Sequence, residues 1–285
     1  MVQTNYRLSE RIGRHGAAFE TEPPRSVSAY AYAAIRPGDL AIKPAAFGGL
    51  DKVVRTLSAP AAADVDAIIA TIGSTAGEQT LSGDDLDGII GADRIFPPRN
   101  LTITFNSHGD WDATTGIVRG LDEAGRPQEE DIAIPNGGNA VVTLKKFFSA
   151  VLSLYIPAQT GTNGTATLGT GTSLGPLTAL DVAGVVRYLA RQQVASADAE
   201  FEAGDVLNLI TEGLVALEVE AAVSGGEQVF VRLVAAGDEV VGTYLGSRDG
   251  TAAAPDAVPV VGLRFAADSV TGADGVILAP VQVEL

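Results

Sequence analysis

The sequence predicts an all-β protein, mainly strands with at most one or two short helices, in which a discontinuous β-barrel-like domain is interrupted by an inserted antiparallel β-sandwich. Short aliphatic runs alternate with polar residues through most of the 285 residues, which is the period of a strand with one buried face. The chain also holds 33 Gly and 14 Pro, enough for many turns. We expect an N-terminal arm at 1–25, the barrel-like domain at 26–60 and 176–285, and the sandwich at 61–175.

The first 25 residues differ in charge from the rest of the chain. Four Arg and three Glu give them a net charge of +1, and because the whole chain carries −16, the remainder carries −17. No apolar stretch in this segment has the length of a signal peptide, so export by that route is not expected. Two interpretations are open: a frayed terminus, or an arm that becomes ordered against a partner.

A glycine followed by an acidic residue recurs at Gly38, Gly204 and Gly226. Glycine accepts the positive φ of a tight turn, and the acidic side chain after it can accept a hydrogen bond from a nearby backbone N–H. Such a turn can form the rim of an active site or can simply begin a strand, and its repetition favours the second. Three alternating runs follow the second and third turns and predict three strands. They contain Val206, Leu209 and Ile210, then Leu214, Val215, Leu217 and Val219, then Val229, Val231 and Leu233.

Two segments have a spacing that also fits a helix. The segment 59–75 has aliphatic residues at i, i+3, i+4 and i+7, which predicts a short helix. The segment VAGVVRYLA at 182–190 has a similar pattern, but Gly184 and the β-branched residues favour a strand there. The residues with helical spacing in the first segment are Val65, Ile68, Ile69 and Ile72.

The inserted part has the clearest strand pattern, beginning at Asn100. Explicit turns separate its runs, at 122–125 (DEAG) and 135–138 (PNGG). Six short strands at intervals of about ten residues are typical of an antiparallel sandwich or small barrel. The six runs are NLTITF, TTGIVRGL, EDIAIP, NAVVTLKKFF, AVLSLYIPA and GTATLGT.

The candidates for catalysis or metal binding are few. The only histidines are His15 and His108, so a histidine-dependent nucleophilic site needs one of them. In SHGDWDATTG, His108, Asp110 and Asp112 stand two residues apart and would face one side of a strand as a metal site. The alternative is a turn at a strand end, with Trp111 as its apolar anchor. Cysteine is absent, which excludes disulfides and thiolate metal sites.

Two further motifs have a structural interpretation. Asp84, Asp85 and Asp87 offer carboxylates to a cation, but they lack the spacing of an EF-hand loop, so a solvated turn is expected. The glycine-rich stretch GTGTSLGP, with Gly169 and Gly171, has no Lys-Ser/Thr pair and no strand-then-helix context, so it is not a phosphate loop.

Turn and strand patterns run from DVAGVVRYLARQQ through FEAGDVLNLITEGLVALEVEAAVSGGEQVFVRL to VPVVGLRFAADSVTGADGVILAPVQVEL. Together with the N-terminal run AFETEPPRSVSAYAYAAIRPGDLAIKPA, they resemble the structural cement, or decoration, proteins of tailed bacteriophage capsids. The inserted part resembles a sandwich module that recurs in phage virion proteins. The positions that match the cement family are Gly204, Asp205, Val206, Asn208, Gly213, Val219, Glu220, Val229, Val231, Arg232, Arg264 and Phe265.

The resemblance implies a non-enzymatic protein without cofactor or metal that binds the major capsid protein on the outer surface of the virion and stabilises the shell. It also implies a homotrimer made in the cytoplasm of the bacterial host. The charge of −16 disfavours direct contact with nucleic acid, and no apolar run reaches the length of a membrane helix. The arm is the first candidate for the capsid interface, through Tyr6, Arg7, Leu8, Arg11, Ile12, Arg14 and Phe19.

Three other functions are compatible with the sequence. A phage tail or other virion component is the nearest alternative, because similar sandwich modules serve there. A surface glycan-binding adhesion module would need exposed aromatic residues on the insert, such as Trp111 or Tyr155. A hydrolase would need a pocket that gathers His108 with two carboxylates.

Overall fold

The computed structural model describes residues 24–43, 53–187, 200–235, 240–247, 256–272 and 275–285. The fold is all-β, as the alternation predicts, and the only helical element among these residues is a 3-10 turn at Gly83–Asp85. The strands are β1 (Arg25–Ala31), β2 (Leu40–Ile42), β3 (Val53–Val54), β4 (Ile69–Gly73), β5 (Gln79–Ser82), β6 (Arg99–Ser107), β7 (Thr115–Leu121), β8 (Pro127–Ala133), β9 (Gly138–Thr143), β10 (Ala150–Ile156), β11 (Thr165–Leu174), β12 (Val182–Val186), β13 (Val206–Glu218), β14 (Gln228–Arg232), β15 (Tyr244–Leu245), β16 (Ala257–Phe265), β17 (Val270–Thr271) and β18 (Ile277–Glu284).

The strands belong to two compact units. The first takes its described residues from the segments Met1–Ala59, Leu177–Thr251 and Pro255–Leu285. The described residues of the second lie within Pro60–Pro176. The strands β1–β3 and β12–β18 therefore form the first unit, and β4–β11 form the second.

The first unit is one ten-stranded sheet that curls into a half-barrel. Its main path runs β15-β14-β16-β18-β13-β1-β3, while β12 pairs with β13 and β2, and β17 pairs with β18. The centre of the sheet is β13, because β1, β12 and β18 all pair with it in antiparallel orientation. The strand predicted in VAGVVRYLA is confirmed as β12.

The glycine-acid turns begin strands, as predicted. Gly38, Gly204 and Gly226 have φ values of 91°, 92° and 89°, which favour glycine. In each turn the acidic side chain accepts a hydrogen bond from the backbone N–H three residues earlier, and β2, β13 or β14 follows directly. The N–H of Arg36 donates to Asp39 at 2.8 Å, that of Glu202 to Asp205 at 2.9 Å, and that of Ser224 to Glu227 at 2.9 Å.

The two aliphatic runs after Gly204 form one long strand. β13 continues from Val206 to Glu218 through Gly213, which has a φ of 126°. A side chain at Gly213 would collide with Pro24. The expectation of two strands is wrong here because the glycine lets the strand continue at a positive φ instead of ending it.

The first unit buries an ion pair at the end of its sheet. The side chain of Arg232 in β14 is 0% exposed, and its Nε and Nη2 donate to the two carboxylate oxygens of Glu220, both at 2.7 Å. The hydroxyl of Thr243 donates to the same carboxylate. A bidentate pair of this kind holds its partners in one geometry, so it fixes β14 against the chain that leaves β13.

The second unit is a sandwich of two four-stranded antiparallel sheets. One sheet has the order β5-β10-β7-β8 and the other the order β4-β11-β6-β9. The six runs predicted from Asn100 onward correspond to β6–β11. Both predicted turns are present, since the N–H of Gly125 donates to the carbonyl of Asp122 at 3.0 Å and that of Gly138 to Pro135 at 3.1 Å.

A single apolar core lies between the two sheets of the sandwich. Trp111 is 0% exposed in it, and its ring meets Phe105 edge-on with centroids 5.0 Å apart. Its indole N–H donates to Oδ1 of Asn106 at 3.0 Å, so the polar edge of the ring is also satisfied. The prediction that Trp111 is an apolar anchor is confirmed.

The helix predicted at 59–75 is absent, and its second half is the strand β4. Ile69 and Ile72 are both buried although they stand three residues apart. The pairing with β11 explains this, because Ala166 and Leu168 stand opposite Ile72 and Ile69, so β4 carries one extra residue. Such a bulge gives a strand the i, i+3 spacing of a helix.

Candidate interaction surface

The arm residues proposed for the capsid interface lie outside the described part of the chain, which begins at residue 24. These residues are Tyr6, Arg7, Leu8, Arg11, Ile12, Arg14 and Phe19. Their role stays a prediction. β1 is the first described strand and follows the arm in the sequence. An interface formed by the arm can therefore extend onto the surface of β1.

An exposed apolar surface lies on β1 and its neighbour β13. Tyr30 is 49% exposed, Tyr32 56% and Val206 57%. Tyr30 is paired directly with Val206 across the two strands, at a separation where side chains contact each other. We call Tyr30, Tyr32 and Val206 the β1 surface.

The alternation of SAYAYA explains why this surface is exposed. Ala29 and Ala31 point into the unit and are 3% and 4% exposed, so the residue between them, Tyr30, points outward. A small residue inside and an aromatic residue outside reverses the usual arrangement of a strand at the surface of a protein. The patterns used to predict a site do not include these residues, although the reversed alternation is visible in the sequence.

One edge of β1 is also open in the described part of the chain. β13 occupies one edge along Arg25–Tyr30, whereas β3 pairs with the other edge only at Tyr30 and Ala31. Residues 25–28 are all exposed. Main-chain groups on such an edge can accept an added strand, so β1 offers both an apolar face and an open edge directly after the arm.

His108, Asp110 and Asp112 do not converge as metal ligands. Among the described residues, no group of three or more His, Asp or Glu side chains is arranged to hold a metal ion. The carboxylate of Asp110 accepts the N–H of Asn163 at 2.7 Å and lies 3.5 Å from Nδ1 of His108. Asp112 instead accepts the hydroxyl of Thr160 at 2.6 Å. The two carboxylates therefore tie down the connection between β10 and β11, which fits the strand-end turn.

The other acidic cluster is also part of a turn. Asp85 accepts the N–H of Ser82 at 3.2 Å and follows Asp84 in the 3-10 turn. Asp87 accepts the N–H of Ala70 at 2.9 Å. Two of the three carboxylates thus hold backbone groups, as expected for a solvated turn.

The glycines of GTGTSLGP lie in or next to β11 and serve close packing. A side chain at Gly169 would collide with the backbone of Asp64 and Val65, and one at Gly171 would collide with Asn100. The segment before β4 can therefore cross β11, where the backbone carbonyl of Asp64 accepts the N–H of Thr170 at 2.7 Å. This context agrees with the conclusion that the stretch is not a phosphate loop.

The outer face of the sheet β4-β11-β6-β9 has a shallow depression with a volume of about 290 Å³. Hydroxyl and amide side chains line it, without an aromatic or charged residue. Trp111 is buried and cannot stack on a sugar, and the hydroxyl of Tyr155 donates to Glu78 at 3.0 Å. Neither of these two aromatic residues lines the depression, and the glycan-binding alternative stays a prediction. Its lining residues are Thr71, Thr104, Asn106, Thr165, Ala166 and Thr167.

Two titratable groups surround the turn at Gly38. The hydroxyl of Tyr244 donates to the carbonyl of Gly38 at 2.8 Å, and burial together with the charge of Asp39 raises the pKa of this phenol. Burial also raises the pKa of Asp39, although its hydrogen bond from the backbone of Arg36 and the charge of Arg36 lower it. Both groups support the turn, which leads directly into β2.

Comparisons with protein-family models, with curated proteins and with solved structures found no match. Among the described residues, no helix is long and apolar enough to cross a membrane.

Proposed function

We propose that this chain is a non-enzymatic structural protein of a phage virion, which binds the outer surface of the capsid through the major capsid protein and stabilises the shell. Its place of synthesis is then the cytoplasm of the bacterial host. Binding is the whole mechanism: a protein that binds the assembled shell better than its separated subunits shifts the equilibrium toward the shell.

The pairing of Glu220 with Arg232 is the observation that best supports the proposal. Both residues belong to the motif positions that resemble the cement family, in two segments of the motif. They meet as a bidentate buried ion pair within the first unit. The motif positions in β13, in β14 and in β16 also lie in the same sheet, so the pattern corresponds to one folded unit.

The β1 surface and the arm together supply an interface of the expected kind. Interfaces are enriched in tyrosine and in arginine, and Tyr30 and Tyr32 follow an arm that holds four Arg residues. An added strand on the open edge of β1 would contribute main-chain hydrogen bonds. A contact of about 800 Å² on each side is usual for stable association.

The proposed assembly on the shell is a homotrimer. A closed trimer has the symmetry of the three-fold and quasi-three-fold points of an icosahedral lattice, so its three copies make the same contact. Analytical ultracentrifugation of the purified protein measures this state directly, and a monomer at all concentrations would contradict it.

Co-sedimentation with capsid shells tests the function. Purified protein is titrated onto mature-form shells that lack decoration, and the shells are then heated. We expect saturation at a copy number compatible with the lattice and a higher temperature of shell disruption. Binding without stabilisation, or no binding, would contradict the proposal and favour a tail component.

Two variants locate the interface in the same assay. Deletion of residues 1–20 tests the arm, and full affinity after deletion would exclude it. Val206→Ser tests the β1 surface, with Val261→Ser as the matched control because both are exposed valines in strands of the same sheet, at 57% and 50%. We expect weaker binding for Val206→Ser alone.

A further inference from the structure

The loop after β5 presents one aliphatic side chain almost completely to solvent. Ile89 is 87% exposed, and the next most exposed large aliphatic residue in the described part of the chain is Val141 at 62%. Single exposed aliphatic residues are common and need no explanation by themselves. Ile89 differs because the loop around it is fixed.

Three backbone hydrogen bonds hold the loop in place on either side of Ile89. The N–H of Gly88 donates to Ile68 at 3.0 Å, and those of Ile90 and Gly91 donate to Ala67 at 2.7 and 3.1 Å. Ile90 packs against the core. These bonds hold the backbone on both sides of Ile89 with its side chain exposed, and a contact that is already ordered lowers the entropy cost of binding.

Exposed carboxylates flank Ile89 in the sequence. The segment 83–94 contains four exposed Asp residues and one basic residue, the half-buried Arg94 at its end. The segment that holds the loop adds Asp64 and Asp66, and the hydrogen bond and charge of Asp64 raise the pKa of Asp66. The backbone of Asp66 lies against Gly88. The exposed Asp residues of the loop are Asp84, Asp85, Asp87 and Asp93.

We propose that the loop 83–93 is the contact through which the inserted unit binds a second protein, with Ile89 entering an apolar pocket whose rim carries Lys or Arg. This inference rests on the proposed function, under which the second protein is a subunit of the capsid shell. The apolar tip supplies contact area, and the carboxylates select a basic rim and reject acidic surfaces. The arm and the β1 surface belong to the first unit, so this site gives the insert a binding role of its own.

The test compares Ile89→Ser with Val141→Ser in the shell-binding assay with the full chain. Both substitutions remove an exposed aliphatic side chain from the same unit, so neither is expected to impair folding. Burial of one isoleucine in a pocket corresponds to about a 10-fold change in affinity or more. We expect this loss for Ile89→Ser only. Asp84→Asn combined with Asp93→Asn should reduce the dependence of binding on salt, because charge pairs at a rim are screened.

The outcomes separate this inference from the proposed function. If the wild type binds shells and Ile89→Ser binds them equally well, the inference about the loop is wrong but the proposed function stands. Wild-type protein that does not bind shells would overturn both. A change in the sedimentation coefficient of the free protein on Ile89→Ser would mean that the loop joins copies of this chain, which would overturn the assigned partner.

Discussion

The two units reach a stable β-fold in different ways. The described residues of the second unit form one continuous stretch of chain, and its sheets enclose an apolar core around Trp111. The first unit joins segments far apart in the sequence, such as Arg25 with Glu212, and it buries the Arg232–Glu220 pair in addition to aliphatic residues. Pairing of distant segments pays a larger cost of loop closure before contacts form. We therefore expect the buried ion pair to contribute strongly to the stability of the first unit, where distant segments pair.

Removal of the buried charge of Arg232 should cause the largest loss of stability, and this loss should be limited to the first unit. Arg232→Ala leaves Glu220 in a largely buried site without its partner, which costs about 3–5 kcal/mol. The protein has one Trp, in the second unit, so its fluorescence reports unfolding there, whereas far-UV circular dichroism reports both units. We expect the dichroism transition to move to lower temperature while the fluorescence transition stays.

The matched control for this variant is Arg25→Ala. Arg25 lies 4.0 Å from Glu212, but the two side chains are 79% and 63% exposed. Exposed pairs contribute at most about 1 kcal/mol, so the control should unfold close to the wild type. A loss equal to that of Arg232→Ala would contradict the distinction between the two pairs.

A substitution in the apolar core of the second unit should destabilise that unit. Leu168 in β11 is 0% exposed and stands opposite Ile103. Leu168→Ala leaves a cavity and should cost about 2–5 kcal/mol, now with a shift of the tryptophan fluorescence transition. Leu152→Ala, at a position that is 51% exposed, serves as the control and should have little effect. An unchanged fluorescence transition for Leu168→Ala would show that the apolar core does not limit the stability of this unit.

A smaller effect is expected at the glycine-acid turns. Gly204 has a φ of 92° and no heavy atom within 4 Å of the place where a Cβ would stand, so Gly204→Ala tests conformation without a clash. We expect a loss of about 1–2 kcal/mol. Gly109 has equal space and no positive φ, so Gly109→Ala should be neutral or slightly stabilising. Chemical denaturation measures the free energy of unfolding of both variants. If Gly204→Ala is as stable as Gly109→Ala, the backbone at Gly204 is not strained by a side chain.

The smallest expected change is the dependence of folding stability on pH. The pKa of Asp39 is raised above 3.8 by burial, so the folded state binds the proton more tightly than the unfolded state. At neutral pH the ionised carboxylate is therefore destabilising, and this cost is relieved as pH falls through the raised pKa toward 3.8. Asp39→Asn keeps an acceptor for the N–H of Arg36 and removes the titration. Measured against this variant, the wild type should gain stability on acidification; a constant difference would contradict the shift.

The strands were largely predictable from the sequence because a strand with one buried face repeats every two residues. The six predicted strands β6–β11 of the sandwich follow this rule, and both predicted turns between them are present. The exceptions come from local backbone geometry. The bulge in β4 imitates helical spacing at Ile69 and Ile72, and Gly213 lets β13 pass through a residue that normally ends a strand. Both features depend on the neighbouring strand or on Pro24, which a single segment does not reveal.

The candidate surfaces were less predictable than the fold. Tyr30 and Tyr32 have an inverted alternation that the sequence displays, but their exposure depends on which face of β1 packs inward. Ile89 carries no pattern at all in the sequence, since its exposure follows from hydrogen bonds of the loop to Ala67 and Ile68. The metal-site alternative had the required residue types, and only the distances show that Asp110 and Asp112 hold different partners.

The pairing of β1 and β18 with β13 also determines where the ends of the first unit lie. Arg25 and Glu284 are both opposite Glu212, and the N–H of Leu285 donates to the carbonyl of Thr211 at 2.9 Å. Two strand spacings amount to about 10 Å, which a linker of roughly three or four residues can cross. A circular permutant that joins Leu285 to Arg25 through such a linker and opens the chain in a surface loop would thus preserve every strand pair.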